Sequence, residues 1–362
     1  MKKGHRLIFF LIGLAGMALL VIRLDPEENH FRDVLHPNTL LFLAGMLLLW
    51  VFIYAIHTQA YYRIIDPKNK EIRWITIYRI VVSGFALNNL TPFGLAGGEP
   101  YRIMELRPYI GTRRAASATL SFTLVFIIGH VLMWITGIAV YVILGCPGET
   151  WITVLLLITA AVFIGITMIF FLKRKGGIVM PLMRLGLKIP WLKKHTQKFL
   201  DKNEEHLREI DESYIAFKSH PRNFAMVVLT EYGERIAESL EYFLIYLYIG
   251  QKVNFLGGIL ILSMASLIGN LFFMIPMQAG TREGGMIMAL NWLGIDPTVG
   301  VPGGLLYRVR DILLNLVGIA CILFERKHEE KVKASEGEPG EETEALSPEE
   351  TANIPREKTG TE

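Results

Sequence analysis

Long apolar runs separated by short polar segments dominate the chain. Residues 7–22, 40–56, 151–172 and 255–275 are almost unbroken apolar stretches, and 115–144 is interrupted only by small residues and His130. A helix that crosses a bilayer needs about 20 mostly apolar residues. Residues 226–249 and 303–324 are long enough to cross but carry charges. The pattern predicts an all-α, polytopic bundle of membrane helices. The first run follows Met1-Lys2-Lys3-Gly4-His5-Arg6, which resembles the start of a signal peptide. We read it as a retained signal-anchor.

Loop charges orient the spans, because cytoplasmic loops collect Lys and Arg. The basic N-terminus reads as inside. Residues 23–38, with Asp25, Glu27, Glu28 and Asp33, read as outside. Residues 61–79 hold Arg63, Lys68, Lys70, Arg73 and Arg79 and read as inside, as do Arg113-Arg114 and the loop opened by Lys173-Arg174-Lys175. Residues 145–150 and 251–254 read as outside, and Arg326-Lys327 as inside. The assignments alternate with the spans, so both termini are expected in the cytoplasm and the chain in the cell (inner) membrane.

Composition sharpens this picture. Of 362 residues 52% are hydrophobic, and the net charge of +3 hides an asymmetry. Residues 328–362 contain eleven Glu against four Lys/Arg, leaving the preceding body about ten units positive. The Glu-, Pro-, Gly-, Ser- and Thr-rich segment 329–362 is expected to be a disordered acidic cytoplasmic tail, and 1–328 the membrane domain. Within that domain, the loop 173–221 has Leu192, Phe199, Leu207, Ile210, Tyr214 and Phe217 at near-helical spacing. They predict an amphipathic helix lying on the inner membrane surface or on the bundle. Cys146 and Cys321 fall near opposite faces and are not expected to pair. No nucleic-acid footprint appears.

Two stretches share one order of helix breakers. The first runs Asn88-Asn89-Leu90-Thr91-Pro92-Phe93-Gly94-Leu95-Ala96-Gly97-Gly98-Glu99-Pro100-Tyr101-Arg102. The second runs from Asn270 through Pro276, Gly280, Thr281, Arg282, Glu283 and Gly284-Gly285. Pro92 and Pro276 lie 184 residues apart, and so do Glu99 and Glu283. Proline stops a helix and glycine allows unusual backbone angles. Exposed backbone groups at membrane depth are tolerated only beside protein or a wet cavity. The hinge positions are therefore Pro92, Gly97, Gly98, Pro276, Gly280 and Gly284, with short helices starting at Glu99 and Glu283. The first motif is flanked by inside charges and the second begins outside, so they would enter as two inverted broken (re-entrant) helix hairpins. That is an inverted-repeat transporter plan with its site near the midplane. Kinked helices packed closely at glycine are the plainer alternative.

The run P-x-G-x-x-G-G-E-P-x-R-x-x-x-L at residues 92–106, with its partner at 276–290 and Tyr307-Arg308, resembles the lysylphosphatidylglycerol synthase transmembrane region family. This flippase-like, UPF0104-like resemblance covers about residues 5–325. It implies a domain that moves an aminoacylated phospholipid between leaflets, with synthesis left to a separate soluble domain that this chain lacks. The chain departs from the family at Thr119-Leu120-Ser121-Phe122-Thr123-Leu124-Val125, where an Arg and an Asp are usual.

Charge inside the spans supplies the remaining candidates. Glu231, Glu234, Arg235, Glu238 and Glu241 are spaced 3, 1, 3 and 3 apart, along one helical stripe. Each charge at the bilayer centre costs about 2.5–3.5 kcal/mol on insertion scales, so the stripe must face the bundle. The spacing pairs Glu231 with Arg235. The other carboxylates either carry protons or join a fixed network with Arg102, Arg282, Arg308 or Arg310. In the last span, Arg308 and Asp311 are i,i+3 neighbours, and an Arg fork suits a phosphate. His130 reads as a core histidine or a proton relay, and Asn88, Asn89 and Asn270 as partners for carbonyls freed at the breaks.

No catalytic constellation, metal-ligand spacing or phosphate loop occurs, so no catalytic residue, metal or cofactor is expected. The reading is a protein that flips or binds a lipid, in all expectation a phosphate-bearing one. Glu99, Arg102, Arg282, Glu283 and Arg308 would line its polar path. The alternatives are a membrane-embedded lipid-modifying enzyme, or an accessory subunit that presents lipid to a separate synthase or glycosyltransferase.

Overall fold

The computed structural model describes residues 37–65, 72–90, 95–146, 148–172, 177, 179–188, 190–272, 275, 278 and 280–335. Among them no strand occurs, and the architecture is an all-α membrane bundle. Its helices are α1 (Thr39–Ile65), α2 (Trp74–Leu90), α3 (Leu95–Ile143), α4 (Thr150–Leu172), α5 (Val179–Lys188) and α6 (Pro190–Ser219). They continue with α7 (Pro221–Tyr248), α8 (Phe255–Leu271), α9 (Thr281–Trp292) and α10 (Gly300–Ser335), the last preceded by a 3-10 turn at Pro297–Val299. The chain divides into units Met1–Cys321 and Ile322–Glu362. The first apolar run, Pro92, Pro276 and residues 336–362 lie outside the described residues. Helix α10 is assigned as far as Ser335.

Helices α1, α3 and α4 are long and apolar enough to cross a bilayer. Their outward faces carry the large apolar side chains that lipid would cover. On α1 these are Leu40, Leu41, Leu48, Val51 and Phe52. On α4 they are Trp151, Val154, Leu155, Ile158, Val162 and Met168. A contiguous apolar surface of this extent belongs in a membrane.

A short helix leads into each breaker motif. Helices α2 and α8 each have 17 residues, about 25 Å of helix, which falls short of a hydrocarbon core of about 30 Å. Each is followed by a break and a second helix packed against it. The helices after the breaks begin earlier than expected, at Leu95 and Thr281, which places Glu99 in the second turn of α3 and Glu283 in the first turn of α9. Around the second break, Gln278 (φ 51°) and Gly280 (φ 80°) take left-handed backbone. Glycine sets the close approach in both hairpins. A Cβ on Gly98 would collide with the carbonyl oxygen of Gly84, and one on Gly285 would lie 2.5 Å from that of Met264. Helix α3 contains a third interruption at Gly111 (φ 77°, ψ 159°), which separates 95–110 from 112–143.

The loop 173–221 forms two helices, α5 and α6, where one was expected. Leu207 and Tyr214 are buried, and α6 packs against α3 and the start of α7. Phe217 meets Phe224 edge-on at 5.7 Å. Leu207, Tyr214 and Phe217 of the expected stripe are therefore turned toward protein.

Two apolar clusters form the core. One joins α1, α2, α3 and the start of α7 through Ile53, Tyr61, Ile77, Ile80, Phe122 and Val227. The other joins the far ends of α3 and α7 to α8 and α9 through Met133, Tyr242, Tyr246, Leu260, Met264 and Leu290. On α7, Val227 and Val228 belong to the first and Tyr242 and Ile245 to the second. Residues 231–241 lie between them, so the charged stripe occupies the seam.

Candidate functional site

Every charged member of the stripe is buried. Glu231, Glu234 and Glu241 are 0% exposed, Glu238 3% and Arg235 7%. Burial at this depth requires a partner for each ion, and most partners come from other helices. Glu231 does not pair with Arg235. Its carboxylate faces His57 of α1, with Nδ1 at 3.0 Å from Oε2 and 3.1 Å from Oε1. The other ring nitrogen, Nε2, lies 3.1 Å from Glu234 Oε1. Arg235 instead lies 3.0 Å from Glu234 Oε2 and donates to Glu238. The reason is helical reach. Arg235 bends along its own helix to acids at i−1 and i+3, while Glu231 is directed at α1. Gly129 of α3 faces the backbone of Glu231, where a Cβ would lie 3.4 Å from the carbonyl oxygen.

One turn on, Glu241 accepts from Arg310 of α10 at 2.5 Å (Nε) and 2.6 Å (Nη2), and from Trp50 Nε1 of α1 at 3.0 Å. The guanidinium carbon of Arg310 also sits 4.4 Å from the Trp50 ring centroid and 4.3 Å from that of Tyr307. Two parallel charge-assisted bonds and two aromatic faces make this a strongly held ion pair.

The second break is tied to α10. Glu283 Oε2 accepts from the N–H of Gly280 at 2.8 Å, which caps α9, and Oε1 accepts from Arg308 Nε at 2.6 Å. A Cβ on Gly304 would sit 2.7 Å from Glu283 Cγ, so glycine there lets the carboxylate reach both. Arg308 is thus bonded to Glu283, and not to Asp311 as spacing suggested. Asp311 Oδ1 accepts from Asn89 at 3.2 Å and lies 3.4 Å from Arg310. Arg282, beside Glu283, stacks 4.6 Å from the Tyr307 ring centroid and donates to its hydroxyl.

At the first break Glu99 accepts from Arg102 at 3.2 Å and, at 3.4 Å, from Asn88 and Thr123. Arg102 is 2% exposed and lies between Phe85 and Phe122, at 4.8 and 5.2 Å from their centroids. Its Nε and Nη2 are buried and meet no acceptor among the described residues, and Nε of Arg282 is in the same state. Of the asparagines, Asn270 donates to the carbonyl of Ser266 at 2.8 Å. Asn88 instead accepts from the N–H of Gly98 at 2.7 Å, and Asn89 bonds the side chains of Asp311 and Asn315. His130 Nδ1 lies 3.0 Å from the carbonyl of Phe126. Among the hinge residues Gly97 lies in the first turn of α3, Gly98 is closed in by Gly84 and Asn88, and Gly284 has nothing within 4 Å of a would-be Cβ.

The model of the lysylphosphatidylglycerol synthase transmembrane region matches residues 7–318. The chain belongs to this family. Two relatives extend the match at low identity. A UPF0104 membrane protein of Methanothermobacter thermautotrophicus is 24% identical, over 88% of this chain and 95% of the relative. A UPF0104 membrane protein of Pyrococcus horikoshii is 22% identical, over 88% and 97%. The match of this lysylphosphatidylglycerol synthase transmembrane region spans both breaks, the stripe and Arg308–Asp311, so the polar layer lies within the part shared with the family.

Two members of the layer were not singled out by sequence reasoning, His57 and Trp50. A signal was available for the first. His57 is the one His, acid or base between Leu40 and Ala60, and an ionisable group within a membrane span marks function or a buried partner. Trp50 carried no signal, since an indole in a membrane helix is ordinary.

Proposed function

We propose that this protein binds a phosphate-bearing lipid in the polar seam and translocates it across the cytoplasmic membrane. The carrying observation is the pair of buried guanidiniums, Arg102 and Arg282, with N–H groups that meet no acceptor among the described residues. A buried donor left without an acceptor costs about 1–3 kcal/mol, more when charged, and a phosphate oxyanion is the ligand whose geometry suits an Arg fork. Each of the two Arg follows one of the breaks, and Glu99, Glu283 and Arg308 complete the polar path. In this reading the two broken hairpins enter from opposite faces, and rocking of one against the other exposes the seam to each leaflet in turn. Both termini and the loop 173–221 face the cytoplasm. Membership in the transmembrane-region family supports a lipid-linked role and a partner that carries out the chemistry.

The test is reconstitution of the full chain in vesicles that contain a fluorescent phospholipid with a dithionite-sensitive headgroup label. Wild-type protein should let dithionite bleach the inner-leaflet pool. Arg102→Gln should slow that by about tenfold, equivalent to roughly 1.4 kcal/mol. Absence of movement for both anionic and zwitterionic probes would refute translocation. A new lipid species would point to the enzyme reading, and enhanced turnover by a partner synthase without movement to the accessory one.

A further inference from the structure

We propose that His57, Glu231 and Glu234 form a binding site for one exchangeable proton, which serves as the coupling ion for lipid movement. The coupling role rests on the lipid reading above; the proton site stands on its own geometry.

The first argument is a count of protons. Both ring nitrogens of His57 lie close to carboxylate oxygens, Nδ1 in hydrogen-bond geometry at 3.0 Å from Glu231 and Nε2 in an off-axis ion contact at 3.1 Å from Glu234. A neutral imidazole has one N–H and one lone pair, and an ionised carboxylate only accepts. A lone pair held about 3 Å from a carboxylate oxygen is repulsive. The triad therefore holds one proton more than neutral histidine and two ionised carboxylates would, either on the second ring nitrogen or on one of the acids.

The second argument is burial and charge. His57 is 1% exposed and both acids are 0% exposed, so water does not share the load. On α7 Glu234 and Glu238 share the single guanidinium of Arg235, and Glu231 has His57 as its partner. Neither oxygen of Glu234 accepts a well-aligned hydrogen bond. An added positive charge at His57, or neutralisation of one acid, removes part of that imbalance.

Among the described residues the surroundings add no competing base at the ring. Helix α2 presents Phe85 at 4.7 Å and α3 presents Phe126 at 5.8 Å and Phe122 at 6.3 Å. Behind these rings stand Arg102, over Phe85 and Phe122, and His130, against Phe126 at 4.5 Å. On α1 the nearest titratable group is Tyr54 at 6.5 Å between rings, and on α7 they are Arg235 and Glu238. Arg282 acts on Glu238 from α9.

Exchange follows from the two seats. A proton on Glu231 passes to Nδ1 while the proton on Nε2 passes to Glu234. One N–H bond forms and one breaks, one O–H bond forms and one breaks, and the imidazole ends neutral in its other tautomer. The two acids are three residues apart on α7, roughly 4.5 Å along the axis, so the net result moves one proton between neighbouring turns.

A divalent cation is the rival occupant, since the three residues offer donor atoms within 4.8 Å of one another. The ring speaks against it. The two acids address opposite nitrogens, whereas one metal ion would need both acids to converge on the same nitrogen's lone pair.

Two measurements on the full chain decide the matter. In nanodiscs, 15N-histidine spectra assigned with His57→Gln, and infrared difference spectra assigned with Glu231→Gln and Glu234→Gln, are followed from about pH 5 to about pH 10. We expect a His57 imidazolium or a protonated Glu at the acid end, lost at the alkaline end. Three results overturn the site. They are a neutral His57 with both acids ionised throughout, a proton that never leaves over that range, or stoichiometric bound metal in wild-type protein that Glu234→Gln abolishes. In vesicles with the fluorescent phospholipid, an imposed pH gradient should change the wild-type rate severalfold and leave Glu234→Gln unaffected. Lipid movement indifferent to the gradient in wild type overturns coupling but not the lipid reading. No lipid movement at all overturns both, and the spectra still decide the proton site.

Discussion

Replacing Arg310 with Met should destabilise the protein more than replacing Arg310 and Glu241 together. The pair is buried, with Arg310 1% and Glu241 0% exposed, and its two bonds measure 2.5 and 2.6 Å. Removing the cation alone leaves the Glu241 carboxylate with Trp50 Nε1 as its remaining donor. Stranding a buried charge costs about 3–5 kcal/mol, and loss of the cation over Trp50 and Tyr307 adds roughly 1 kcal/mol. In the double variant Arg310→Met/Glu241→Leu no charge is stranded. What remains is the unpaired Trp50 N–H, at about 1–2 kcal/mol, and the same lost cation contact as in the single variant. The double variant should therefore exceed Arg310→Met in stability by roughly 2 kcal/mol, about thirtyfold in the folded-to-unfolded ratio. Reversible denaturation in mixed micelles, followed by tryptophan fluorescence, measures all four corners of the cycle. The deficit of the single variant should also shrink as pH falls, because a proton on Glu241 removes the stranded charge. If Arg310→Met lies within about 0.5 kcal/mol of wild type, or the double variant is the least stable of the set, the reasoning fails.

Gly98→Ala should cost about 1–3 kcal/mol, because its Cβ has no room against Gly84 and Asn88, whereas Gly284→Ala should be close to neutral; melting temperatures in detergent check both. Glu283→Gln should keep the cap on Gly280 and lose only the ionic part of the Arg308 bond, while Glu283→Ala should lose both, about 1 kcal/mol further in the same melts. Topology reporters fused at Lys175 and Glu336 should be active only as cytoplasmic reporters, and a periplasmic signal at either site would remove the opposed entry of the two hairpins. A thiol label at Gly284→Cys should react from both faces of the membrane if the seam alternates, and from one face only if it is a static groove.

The sequence alone determined the class of fold, because its signals are local. Twenty apolar residues form a membrane helix whatever surrounds them, since an unbonded backbone cannot sit in hydrocarbon. Proline and glycine disfavour helix through their own backbone chemistry, and α2 and α8 end at Leu90 and Leu271, shortly before the two motifs' prolines. The stripe at 231–241 had to be buried, because its period and its charge were both legible. The partners were not. Local spacing favoured Glu231 with Arg235 and Arg308 with Asp311. The structure pairs Glu231 with His57, 174 residues away, Glu241 with Arg310, 69 away, and Glu283 with Arg308, 25 away. An ion's partner depends on which helix lies opposite, how closely glycines such as Gly129 and Gly304 let it approach, and where each rotamer points. Those are properties of the packed bundle, and only the tertiary structure decided them.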